Sequence, residues 1–190
     1  MSLSRRDFIK AATSTAVATG LIGCNSDSSE VSTSFQHGVA SGDPTQTQVI
    51  IWTRITTTAS NADVTWQVSP QSDFSNIAQS GVFNTDTSRD FTVKVDVTNL
   101  NPSTQYFYRF MVGDVVSMTG VTQTLAEGLV DQVSMAVVSC ANYPAGYFNV
   151  YREIVKQHEN TPFDVVLHLG DYIYEYGDGG YATEDAAGMG

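Results

Sequence analysis

Three side chains in the last third of this 190-residue chain have donor chemistry at a workable spacing. They are the thiol of Cys140, the carboxylate of Asp171 and the phenol of Tyr174. A thiolate and a phenolate are strong donors for ferric iron. A carboxylate can bridge such an ion to a harder one such as calcium. Tyr174 stands three positions beyond Asp171, a spacing that can return it to the same side of a loop or helical turn. Asn142 lies near Cys140, and Tyr172 and Tyr176 flank Tyr174. Plainer readings compete. Gly170-Asp171 also reads as a turn after a strand, and Cys140 as a small buried hydrophobe at a strand end.

Cys140 and Asp171 are 31 positions apart, so the chain between them must bring them together. Val133-Ser134-Met135-Ala136-Val137-Val138 is a near-continuous apolar run, and Val165-Val166-Leu167-His168-Leu169 is another. Both have the content of strands buried on both faces. Between them, Phe148 to Glu159 spaces its apolar residues with a helical period. Asn149 is a candidate cap, and Asn160-Thr161-Pro162 a stop. Strand, helix, strand reads as a βαβ unit with parallel strands, which end at the same sheet edge. In open α/β sheets ligand chemistry collects at that edge. His168 reads as a core residue and His158 as a surface one.

The preceding part is of a different kind. Short runs rich in β-branched and aromatic residues recur between turns: Val49–Ile55, Val64–Val68, Phe91–Val97, Tyr106–Val112 and Val115–Met118. Gly113-Asp114 is a two-residue hairpin signal. Such a pattern predicts a β-sandwich over about 35–125. Leu100-Asn101-Pro102-Ser103-Thr104-Gln105-Tyr106 has the L-x-P-x-T-x-Y form that enters a late strand of a fibronectin type III-like sandwich. There the tyrosine hydroxyl pins the corner. Trp52 and Trp66 are read as core packing, and His37 as a turn or packing residue. Residues 122–131 form a linker, and a second domain begins at about 131.

The N-terminus reads as a targeting segment. Ser4-Arg5-Arg6-Asp7-Phe8-Ile9-Lys10 precedes an apolar run from Ala11 to Gly23, a twin-arginine export pattern over 1–24. That route carries folded proteins, which suits an enzyme loaded with metal before export. Leu21-Ile22-Gly23-Cys24 resembles a lipobox with Cys24 as the lipidated residue; ordinary cleavage near Ala16-Val17-Ala18 competes with it. Residues 25–34 are polar and Ser-rich, as in a tether. The expected location is periplasmic or extracellular, with membrane attachment through Cys24 on the lipobox reading and the export machinery as a partner. With Cys24 lipidated or removed, Cys140 is the only thiol left in the sequence.

Charge excludes some functions. There are 9 basic and 20 acidic residues, a formal net charge of −11. Arg5, Arg6, Lys10 and Asp7 lie in the first ten positions; without them 6 basic face 19 acidic residues, or −13. Such a chain repels nucleic acid and anionic lipid, and suits cations. An anionic substrate requires local reversal by bound metal.

The stretches SRRDFIK, FQHGVASGDPTQTQVIIWTRI, LNPSTQYFYRF, SCANYPAGYFNVYREI and FDVVLHLGDYIYEYG resemble the N-terminal part of PhoD-like alkaline phosphatases (phosphatase/phosphodiesterase D), in that family's order. The resemblance implies a mainly β chain. An Fn3-like β-sandwich over 35–125 is followed by the β-α-β start of an α/β metallophosphatase domain over 131–190. It implies hydrolysis of phosphate mono- or diesters at an iron and calcium centre. Cys140 and Tyr174 would be iron ligands, and Asp171 the bridge to calcium. The first strand ends in Ser139-Cys140 without the Asp-x-His pair of calcineurin-like phosphatases, which favours the PhoD-like pattern. The family's remaining Asn, Asp and His ligands and its phosphate-binding Arg would lie beyond Gly190. The expectation is therefore an inactive N-terminal fragment or truncated product that binds metal weakly. The competing reading is a lipid-anchored Fn3-like binding module with a vestigial phosphatase extension.

Overall fold

The computed structural model describes residues 31–176 and 180. The expected export signal, Cys24 and the expected tether up to residue 30 lie outside the described residues. At the end of that expected tether, β1 (Thr33–Ser34) pairs antiparallel with β4 (Thr56–Thr57), so the chain is already in a ladder there.

Two antiparallel sheets make the first unit. One has the order β2 (Val39–Gly42), β3 (Val49–Arg54), β7 (Thr92–Val97). The other has the order β10 (Gly120–Gln123), β8 (Gln105–Val112), β5 (Asn61–Ser69), β6 (Gln79–Asp86), with β9 (Val115–Val116) paired to β8. Alternation along each strand explains the arrangement, since successive side chains point to opposite faces. In β3, Val49, Ile51 and Thr53 are buried while Ile50, Trp52 and Arg54 are not. In β8, Tyr106, Tyr108 and Phe110 are buried. These inner faces meet Val64, Val68, Val93 and Val97 in one core, closed by Ile55 and Leu100. Each such side chain contributes about 1.5–3 kcal/mol when fully buried. Trp66 packs against this core as expected. Trp52 does not: it alternates with buried Ile51 and Thr53 and stands on the outer face opposite Lys94.

The corner forms as its sequence predicts. The Asn101 backbone N–H donates to Tyr106 Oη at 2.9 Å. Thr124 Oγ1 donates to the Asn101 carbonyl at 2.6 Å and accepts the Thr104 N–H at 3.1 Å. Gly113-Asp114 is the expected hairpin turn, with Val112 opposite Val115 and Gly113 at φ 55°. His37 is exposed and polar in its contacts, facing Thr56 Oγ1 at 3.1 Å and the Arg54 guanidinium at 2.5 Å.

The second unit is β11 (Met135–Val138), α1 (Asn149–Asn160) and β12 (Val165–His168). The strands are parallel, with Met135 opposite Val165 and Val138 opposite His168. The βαβ expectation holds, but not the expected burial on both faces. Met135, Val137, Val166 and Leu167 are exposed, because each strand has one neighbour among the described residues. His168 is likewise half-buried and hydrogen-bonded, not a core residue. Asn149 is the first helical residue, not its cap; the cap position is Phe148, left-handed at φ 57° and without a side-chain cap bond. The helix ends at Asn160, where predicted, and His158 on its last turn accepts the Phe163 N–H at 3.0 Å.

Candidate metal centre

Both strands of the βαβ unit leave the sheet in the same way. Cys140 follows β11 at φ 61° and Asp171 follows β12 at φ 46°, both in the left-handed region. A non-glycine residue there carries strain of order 1–2 kcal/mol, so it persists only where neighbours hold it. The neighbours are backbone bonds that continue across the gap beyond the strands. Leu169 N–H donates to Val138 O at 2.8 Å, Cys140 N–H to Gly170 O at 3.2 Å and Ala141 N–H to Asp171 O at 3.0 Å. Tyr174 N–H returns to Ala141 O at 2.8 Å and closes the loop.

These bonds turn the two segments toward each other. Cys140 Sγ lies 3.5 Å from Asp171 Oδ2 and donates to it. Tyr174 Oη donates to the same oxygen at 2.6 Å. The three residues singled out by spacing therefore converge on one carboxylate oxygen. Cys140 and Asp171 are exposed and Tyr174 is half-buried. The carboxylate holds the Tyr174 phenol well above its ordinary range, and the hydrogen bond with the Cys140 thiol adds to this. The cause is first that ionising the phenol would lose the hydrogen bond it donates to Asp171, and second that it would put another negative charge beside that carboxylate.

The donor chemistry fits a cation. One carboxylate oxygen takes two hydrogens, from a thiol and a phenol, in the place where a positive ion would take all three groups at once. The described residues hold no group of three or more His, Cys, Asp and Glu; the cluster has two of that kind and completes itself with a phenol. Asn142 is half-buried just beyond Cys140. A cavity of about 360 Å³ opens beside Cys140, with Val138, Phe148 and Tyr151 in its lining. Tyr174 and Tyr176 stack with centroids 5.9 Å apart.

Two features of the site are absent from the sequence reading. The left-handed backbone at Asp171 had a signal, since Gly-Asp favours such turns, but nothing in Ser139-Cys140-Ala141 announces it at Cys140. The other is His168. Its Nδ1 accepts the Gly170 N–H at 3.3 Å and its Nε2 faces Tyr151 Oη at 3.2 Å, so it touches the loop that carries Asp171.

Comparison with known proteins points one way. Residues 21–126 match the family described as PhoD-like phosphatase, N-terminal domain, and residues 135–189 match PhoD-like phosphatase. The chain is 37% identical over 160 residues to alkaline phosphatase D of Bacillus subtilis (strain 168), which covers 79% of this chain and 27% of that protein. A solved structure described as that of PhoD matches with a TM-score of 0.69 at 36% identity, over 75% of this chain and 28% of the other. The chain thus spans about a quarter of the length of the relatives it matches.

Proposed function

Because the chain belongs to the PhoD-like phosphatases, we propose that it supplies the β-sandwich and part of the metal centre of a secreted phosphoric ester hydrolase acting on phosphate mono- or diesters. The observation that carries this is the convergence of Cys140, Asp171 and Tyr174 on one carboxylate oxygen.

On this reading Cys140 and Tyr174 would hold ferric iron, with Asp171 as the carboxylate that would be shared with calcium. Bound there, the ions supply Lewis-acid charge for the phosphoryl oxygens. The chain's own residues do the rest. The crossed backbone bonds hold the thiol and carboxylate side by side, and the loop from Asp171 to Tyr174 folds the phenol onto the same oxygen. Cationic side chains are scarce in this part of the sequence. From Asp131 onward only Arg152 and Lys156 are basic, both on α1, where Arg152 bonds Asn149 and Lys156 pairs with Glu153 at 3.7 Å. With three protein donors for the metal and few counter-charges for a phosphate ester, the 190 residues alone are expected to bind metal weakly and not to turn over.

Export through the twin-arginine route and anchoring through a lipidated Cys24 complete the proposal, resting on the order of residues in SRRDFIK and LIGC. Metabolic labelling with a fatty acid, compared with Cys24→Ala, tests the anchor.

The metal reading is tested by titrating the chain with ferric citrate. A visible tyrosinate-to-iron band is expected, and Tyr174→Phe removes it. A band that survives Tyr174→Phe unchanged refutes the assignment. Hydrolysis of p-nitrophenyl phosphate by the 190-residue chain refutes the expectation of inactivity.

A further inference from the structure

We infer that His168 is a positioning residue for the candidate metal centre: its imidazole holds the Leu169–Gly170 peptide, one peptide before Asp171, in the turn from which the carboxylate meets Cys140 and Tyr174. The inference rests on the proposed metal reading.

The geometry fixes the ring's role. The Gly170 N–H points at Nδ1 from 3.3 Å, so Nδ1 is an acceptor and carries no proton. The neutral ring then holds its proton on Nε2, which donates to Tyr151 Oη at 3.2 Å. Tyr151 belongs to α1, so the imidazole links the helix to the loop. The Tyr172 ring, tilted against it with centroids 5.0 Å apart, closes a third side.

What is held matters most. Gly170 stands at φ 119°, where residues with a side chain are rarely found, and each of its two peptide groups is hydrogen-bonded. His168 takes its N–H, and the Cys140 N–H donates to its carbonyl at 3.2 Å. Asp171 is the next residue. Releasing the Leu169–Gly170 peptide would let the Gly170 backbone rotate and swing the Asp171 carboxylate away from an arrangement that depends on bonds of 2.6 Å and 3.5 Å. Groups that orient a ligand in this way typically change metal affinity by about 10- to 100-fold when removed.

The test uses the full chain and three readouts. Imidazole nitrogen shifts of His168 should show a bare Nδ1 and a protonated Nε2; the opposite tautomer overturns the inference. His168→Ala should speed exchange of the Gly170 amide and weaken ferric citrate binding by about tenfold. His168→Asn, whose carbonyl oxygen can stand where Nδ1 stands, should recover most of both. Tyr151→Phe should leave the Gly170 amide protected, since only the helix link is cut. Protection of the Leu169 amide, which bonds Val138 O at 2.8 Å, reports whether the strand pair survives in each variant. Unchanged Gly170 exchange and unchanged affinity in His168→Ala, with Leu169 still protected, overturn the inference, as does an Asn variant no better than Ala. Failure of the wild-type chain to bind ferric ion overturns the metal reading instead, while the nitrogen shifts and Gly170 exchange still decide whether His168 holds the loop.

Discussion

Cys140→Gly and Cys140→Ala form a pair in which both substitutions remove the thiol and only one keeps a Cβ. At an ordinary position Ala is the more stable of the two, because Gly loses about 0.5–1 kcal/mol more in backbone freedom on folding. Cys140 is not ordinary: its φ is 61°, and its side chain is exposed, so little packing is lost either way. A residue with a Cβ pays about 1–2 kcal/mol there. The difference leaves Gly ahead of Ala by about 0.5–1 kcal/mol, a reversal of the usual sign and a factor of roughly two to five in a local opening equilibrium. Both tryptophans, Trp52 and Trp66, lie in the sandwich, so their fluorescence does not follow this unit. Native-state hydrogen exchange at the Leu169 and Tyr174 amides does, since they bond Val138 O and Ala141 O across the gap. Slower exchange in the Gly variant than in the Ala variant is expected. Equal exchange, or faster exchange in Gly, refutes the claim that the backbone at Cys140 is strained.

Other perturbations address the sandwich. Tyr106→Phe removes the acceptor of the Asn101 N–H, bonded at 2.9 Å beside a ring only 1% exposed, and should cost about 1–3 kcal/mol in denaturant unfolding followed by tryptophan fluorescence. Gly120→Ala would place a Cβ 2.2 Å from Cζ of buried Tyr108, so the ring or β10 must shift; a loss of about 1–3 kcal/mol or more is expected in the same assay. The Arg54 guanidinium holds the Asp90 carboxyl below its usual range through bonds of 2.8 Å and 3.0 Å. A depressed carboxyl stabilises the fold above its unfolded value and loses that contribution as pH falls through the folded one. The Tm gap between wild type and Asp90→Asn should therefore be open at pH 6 and close below about pH 4. A gap that stays constant down to pH 3 counts against the pair.

Where local chemistry forces a structure, the sequence carries it. The L-x-P-x-T-x-Y corner and the Gly113-Asp114 hairpin are set by a few adjacent residues, and both form. The βαβ unit is legible because two apolar runs flank a helical period, and from it alone Cys140 and Asp171 are brought to one edge. The missed elements are of another kind. β6 and β10 are edge strands with polar or glycine-containing sequences, QSGVFNTD and GVTQ. Their pairing is dictated by neighbours: Gly81 leaves room for the Trp66 ring and Gly120 for Tyr108. Trp52 takes the outer face against expectation, because a bulky residue next to a buried run says little about which face it takes. The apolar runs of β11 and β12 show that hydrophobicity states what a strand can bury, while burial itself depends on the neighbours it has.

The parallel register of β11 and β12 also serves as a ruler. Val138 lies opposite His168, and the ladder continues so that Cys140 bonds Gly170 and Ala141 bonds Asp171. A slip of one residue would present Ser139 or Ala141 in place of the thiol and turn the donors to opposite faces. The composition of the donor set is thus encoded by strand alignment as much as by residue identity. Insertions are tolerable in the crossover around α1, which only has to return the chain. Between Met135 and Cys140, or between Val165 and Asp171, a single added residue would rewrite the centre without touching any of its ligands.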